Sequence, residues 1–181
     1  MNEHLRSVRE FHVLLLIPQQ EHGVPIRFSD MEIIRYQTLL MEKDSEVLKA
    51  IQSGEMAEIL LGLVDLAYVA LAAIGRQGGD VIEQPVFWRL DGFVLSVMQI
   101  LSDTISQCTT GHPKSYSAVY CLCIHLARSF VNADFDKAFQ KVHQHTIARL
   151  KQNGESFYSD SDSIHLSKLK KSCELSDCLY E

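Results

Sequence analysis

The sequence predicts an all-α fold, an antiparallel bundle of about five to six helices followed by a C-terminal tail. Helical periodicity of apolar residues dominates the chain, and no segment shows the sustained alternation of a half-buried strand. Short loops separate segments of similar helical length, which favours antiparallel neighbours.

The elements are expected in this order. A first helix runs from about Asn2 to Ile17 and stops at Pro18, because the residue before proline is pushed out of the helical region. A loop with Gly23 and Pro25 follows. Ser29 and Glu32 form a capping-box pair that opens a second helix, which Gly54 ends after Ser53. A third helix spans Glu55 to about Ile74 and is closed by Gly75 and the Gly78–Gly79 pair. Pro85 suits the first turn of a fourth helix reaching about Cys108. Thr109 to Pro113 is a turn, a fifth helix covers Ser115 to Val131, and Asn132 caps a sixth that ends near Leu150.

A length of 181 residues fits a single domain. The reading places it over 1–150, with the Ser- and Asp-rich segment 151–181 as a tail or docked arm. The net charge of -6 argues against nucleic acid as the main partner, because phosphate neutralisation needs a basic surface. The first ten residues are polar and mixed in charge, and Gly62 and Asp65 interrupt the longest apolar run, Ile59 to Ile74. No membrane partner and a cytoplasmic location are therefore expected. The five cysteines are odd in number and lack paired zinc spacing, so free thiols are expected.

Asp65 stands out. From Ile59 onward the third helix is apolar on nearly every side, so it should be central and Asp65 buried. A buried carboxylate persists when paired with a cation, hydrogen-bonded or bound to metal. Glu58 lies seven residues earlier on nearly the same face, roughly 10 Å away along the axis, too far to share one ion with Asp65 alone. On the second helix Glu42 and Glu46 are four apart and share a face, with Arg35 seven before Glu42. The short Gly54 link folds the two helices into a hairpin, on which Glu42, Glu46, Glu58 and Asp65 could converge. Oxygen ligation of that kind suits Mg²⁺ or Mn²⁺ rather than zinc. The alternative is local: Glu42, Lys43, Glu46 and Lys49 as a solvated face of ion pairs, Glu58 favouring the helix dipole, and Asp65 paired with Arg35 or Arg128.

On the sixth helix Lys137, Lys141, His145 and Arg149 recur every four residues opposite Phe135, Ala138, Phe139, Val142 and Leu150. This is either the solvated face of an amphipathic helix or a phosphate-contacting edge. His143 and His145 lack a nearby acid or third histidine in sequence, which favours hydrogen-bonding or surface roles over metal ligation.

Two blocks carry a family likeness. Leu40-Met-Glu42-Lys-Asp-Ser-Glu46 with Glu58-Ile-Leu-Leu-Gly-Leu-Val-Asp65-Leu-Ala-Tyr68 resembles the all-α nucleoside triphosphate pyrophosphohydrolases, the superfamily of MazG, dimeric dUTPase and phosphoribosyl-ATP pyrophosphohydrolase. Ala133 to Leu150 is similar to the region after the core in one MazG-like branch. The resemblance covers about half of the chain, and makes the segment of about 84–131 an insertion. It implies a Mg²⁺- (or Mn²⁺-) dependent cleavage of a nucleoside triphosphate into a monophosphate and pyrophosphate, of house-cleaning or dUTPase-like type. Glu42, Glu46, Glu58 and Asp65 would hold metal and Glu46 would position the water. Arg35, Lys141 and Arg149 would meet phosphate, and the assembly would be a homodimer or homotetramer. The sequence departs from the family pattern at Lys43, which follows Glu42 where a second acid is usual. Gly62 or Leu61 replaces the acid before Asp65, and Lys141 replaces a Glu, Thr146 an Asn and Arg149 a Lys. These changes deplete the oxygen ligands, and the alternative they favour is a weakened nucleotide-binding or oligomeric helical scaffold of the same fold.

Overall fold

The computed structural model describes residues 1–89, 91–153 and 173–180, and among these the fold is all-helical. Six α-helices form a bundle: α1 (Glu3–Leu14), α2 (Asp30–Ser53), α3 (Met56–Gln77), α4 (Val94–Ser106), α5 (Pro113–Leu126) and α6 (Phe135–Asn153). Of the tail expected over 151–181, residues 154–172 and 181 lie outside the described residues.

The bundle is organised around α3. It packs against α1, α2, α5 and α6, so almost every residue from Ile59 to Gln77 is buried. It is long and apolar enough to cross a membrane, yet 83% of its most apolar window lies inside the protein. That burial is what a core helix of a bundle requires. Its C-terminus ends at Gly78, whose φ of 75° is the left-handed cap conformation. Gln77 then ties three segments together, donating from Nε2 to the carbonyls of Ile26 (3.0 Å) and Gly111 (2.7 Å).

The second helix follows its sequence signals closely. Ser29 and Glu32 make the reciprocal capping box, and Gly54 closes the helix at φ 78°. Its buried residues are Ile33, Tyr36, Leu40, Lys43, Val47 and Ala50, a strict 3-4 spacing that lays one stripe along α3. The contact is close. A Cβ on Gly62 would stand 2.9 Å from Val47 Cγ2 and 3.3 Å from Val47 Cα, so only glycine lets α3 approach α2 at this level.

Several boundaries differ from expectation, among them the end of α3, which runs through Gly75 to Gln77. The first helix ends at Leu14, and Leu16 takes a positive φ of 55° ahead of Pro18. The fourth begins at Val94 rather than Pro85. The preceding segment is instead extended along α5, with Ile82 N–H donating to Ser117 Oγ, Gln84 Nε2 to the Lys114 carbonyl and Trp88 O meeting His125 Nε2. Gly92, at φ 83°, breaks any helical continuation, and Asp91 starts α4 by accepting from Phe93 N–H and Ser96 Oγ. The fifth helix starts at Pro113 and finishes in a π-helical turn, Ala127–Val131. Asn132, at φ 59°, ends that turn, while the side chain of Asp134 caps α6 through Lys137 N–H. Cys108, Cys121, Cys123 and Cys178 are free thiols, and burial pushes the Cys108 thiol up to about 12.

Two outcomes follow from this packing. Gly62→Ala should destabilise the fold by about 1–3 kcal/mol in urea unfolding, because Val47 is stiff and its backbone is part of the clash. The penalty should shrink when Val47→Ala is present. On α1, burial holds the His12 imidazole neutral, down at about 4 from 6.5. Between those values the unfolded chain binds a proton that the folded chain does not, so stability is full above the upper value and falls as pH drops toward the lower one. His12→Leu should flatten this slope, worth up to about 3 kcal/mol, in unfolding midpoints measured across that window.

Candidate functional site

The acid-bearing helices α2 and α3 form the hairpin that the Gly54 link implies. Which side chains face inward is set by register. The inner stripe of α2 carries Lys43, only 3% exposed, while Glu42, one residue earlier, is exposed to solvent. Glu46, one turn on from Lys43, is half-buried. The Lys43 ammonium donates to both carboxylate oxygens of Glu46, each at 2.9 Å. A charged pair with two short contacts of this kind is among the stronger hydrogen-bonding arrangements.

Asp65 is 4% exposed and is not a free carboxylate. Its level in the hairpin follows from the Gly62–Val47 contact. Helices in an antiparallel pair run past each other, so one turn beyond that contact Lys43 on α2 and Asp65 on α3 stand at the same level. The buried Lys43, whose ammonium is bonded to Glu46, and the buried Asp65 thus stand at about the same level of the hairpin.

The four expected metal-side acids do not gather. Glu42 faces outward on α2, and Glu58 is exposed at the start of α3, where Ser53 Oγ approaches it at 3.4 Å. Glu46 is engaged by Lys43. Among the described residues no three His, Cys, Asp or Glu side chains are grouped to hold a metal ion. Asp44 also lies on α2. Its carboxyl is raised above its ordinary value by burial, and its Oδ1 has no hydrogen-bond partner.

The basic stripe of α6 meets the end of the chain. Residues 173–180 dock against it, with Leu175 and Cys178 buried and Ala133 and Leu179 forming a single antiparallel bridge. Lys141 pairs with Asp177 at 2.5 Å and donates to the Glu174 carbonyl at 3.1 Å. Lys137 pairs with the same carboxylate at 3.3 Å and donates to the Asp177 carbonyl at 2.6 Å. The two ammonium groups hold the Asp177 carboxyl down at about 2. Two of the expected phosphate contacts along this helix are therefore already spent on the chain's own carboxylate. Arg149, His145 and Arg35 are half-buried and engaged with other groups. His143 lies in an aromatic stack with Tyr68 and Phe139, and burial lowers its ionisation.

A wide, shallow cleft of about 460 Å³ opens beside the π-helical turn, lined by Gln84, Cys121, His125, Arg128 and Ser129 among others. Burial pushes the Cys121 thiol up, which disfavours the nucleophilic thiolate.

The residue that the sequence reading undervalued is Lys43. The signal was present: positions 33, 36, 40, 43, 47 and 50 share one 3-4 stripe whose other members are apolar. The strap carrying Asp177 had no comparable signal, since its partners on α6 are some forty residues away in sequence. Comparison with protein-family models, curated proteins and solved structures gives no match.

Proposed function

We propose that this chain is an oligomeric helical scaffold without hydrolytic activity, in which Lys43 supplies from within the positive charge that a divalent ion would bring. The observation that carries this reading is the buried Lys43 ammonium bonded to both oxygens of Glu46 at the level of Asp65. The likeness of the two acid blocks to MazG-like pyrophosphohydrolases fits a shared ancestry of the hairpin. The donor set does not fit a Mg²⁺ or Mn²⁺ ion. A cation placed beside Glu46 would meet an ammonium already seated there, and like charges in a desolvated layer repel strongly. The occupied lysines of α6 support the oligomeric form of the scaffold over a nucleotide-binding form.

The second reading is a Mg²⁺-dependent pyrophosphohydrolase acting on a nucleoside triphosphate. It is favoured by one observation, that a buried Asp65 on the central helix shares a hairpin with Glu42, Glu46 and Glu58.

Pyrophosphate release from canonical and modified nucleoside triphosphates, with Mg²⁺ or Mn²⁺, separates the two. The scaffold reading predicts release no faster than that of Asp65→Asn, and a melting temperature unmoved by metal and nucleotide. Metal-dependent release that Asp65→Asn and Glu46→Gln both abolish would establish the hydrolase instead. Nucleotide-induced stabilisation without turnover would identify the nucleotide-binding form.

A further inference from the structure

Two clefts flank the extended segment that precedes α4, where it runs along α5. The one of about 460 Å³ is walled in part by Val86, Ile124, His125 and Arg128. The other, of about 300 Å³, is walled in part by Val86, Phe87, Ile100 and Leu122. Gln84, Val86 and Cys121 line both, so the clefts adjoin. Each is of the size that small-molecule sites occupy, about 300–1,000 Å³.

The two ends differ in character. Toward the π-helical turn the lining is polar and cationic, with Arg128, His125 and Ser129. Such turns are frequent at functional sites. Arg128 is 62% exposed, and its contact with Asp136, at 3.6 Å, is longer than a hydrogen bond. A guanidinium carries five N–H donors, so this contact leaves donors for a ligand anion. His125 Nε2 donates to the Trp88 carbonyl at 3.0 Å, which fixes the ring at the edge of the cleft. The far end is mostly apolar, apart from Thr104 and Gln107. Burial pushes the Cys121 thiol up, so it stays neutral and counts with the apolar wall. Phe87 lines this end and yet is 94% exposed, which is aromatic area that a ligand chain can cover.

We propose that the paired clefts bind an anionic amphiphile of the long-chain carboxylate class, its head on Arg128 and its chain along Val86 and Leu122 against Phe87. Charge placement selects this class. Asp136 competes for the guanidinium and Glu83 acts on Cys121 from the extended segment, so one negative charge is accommodated and a polyanion is disfavoured. The site lies apart from the hairpin of α2 and α3 and holds whichever reading of the acids stands.

The test is calorimetric titration of the full-length protein with dodecanoate below its micelle threshold, with far-UV circular dichroism and melting as folding controls. Trp88 reports the location, because it is the one tryptophan of the chain and packs edge-on against His125 at 5.9 Å. Dodecanoate should bind saturably and shift Trp88 emission over the same concentration range. Arg128→Gln should weaken binding at least about tenfold, as the loss of a charge-assisted pair does, and Phe87→Ser at least about threefold. Asp136→Asn should tighten it, because the competing carboxylate is gone. Dodecyltrimethylammonium, with the same chain and a cationic head, should bind at least about tenfold more weakly. Absence of saturable binding, binding indifferent to Arg128→Gln or Asp136→Asn, or equal binding of the cationic amphiphile would overturn the proposal. So would capture by vesicles of phosphatidylcholine and phosphatidic acid without binding of monomeric dodecanoate, which would make the region a membrane-facing surface instead.

Discussion

The burial of α3 on all sides is the constraint from which the rest of the structure follows. Enclosed by α1, α2, α5 and α6, the middle of this helix gives Asp65 little access to water, so its one buried acid has to be satisfied from neighbouring elements. Gly62 lets α2 come close one turn from Asp65, and at that next level α2 offers a lysine rather than an apolar residue. Lys43 is therefore placed in the core by the same register that buries Leu40 and Val47. Its ammonium reaches Glu46 at the half-buried edge of the hairpin, which links the interior layer to the solvent side.

That arrangement changes what the acidic pattern means. Four carboxylates on two packed helices look like a metal site when only sequence order is considered. In three dimensions they divide by face: Glu42 and Glu58 outward, Glu46 toward Lys43, Asp65 inward. On the scaffold reading, the positive charge that would gather them is supplied by Lys43 of α2. On α6 the pattern repeats in the opposite sense, where two lysines that could meet phosphate hold Asp177. Both charged clusters close on partners within the chain.

How far the sequence disclosed this depends on the range of the interactions involved. The start and end of α2 were legible because a capping box and a left-handed glycine are local devices. The central place of α3 was legible because its apolarity runs around the whole helix. The start of α4 was not. Pro85 fits a first helical turn, but the hydrogen bonds that keep the segment extended come from Ser117, Lys114 and His125 on α5. The site was half legible: the burial of Asp65 could be inferred from its neighbours, whereas Lys43 sits among charged residues and reads as surface unless its stripe is followed.

The central proposal is that Lys43, at the level of the buried acid, takes the place a cation would have. The most direct measurement is the coupling between Lys43→Met and Asp65→Asn in urea unfolding, from the two single variants and the double. Lys43 acting as the internal counter-charge predicts that each single change destabilises the fold and that the double variant recovers at least about 1 kcal/mol of the summed loss. Additivity of the two changes within about 0.5 kcal/mol would contradict it.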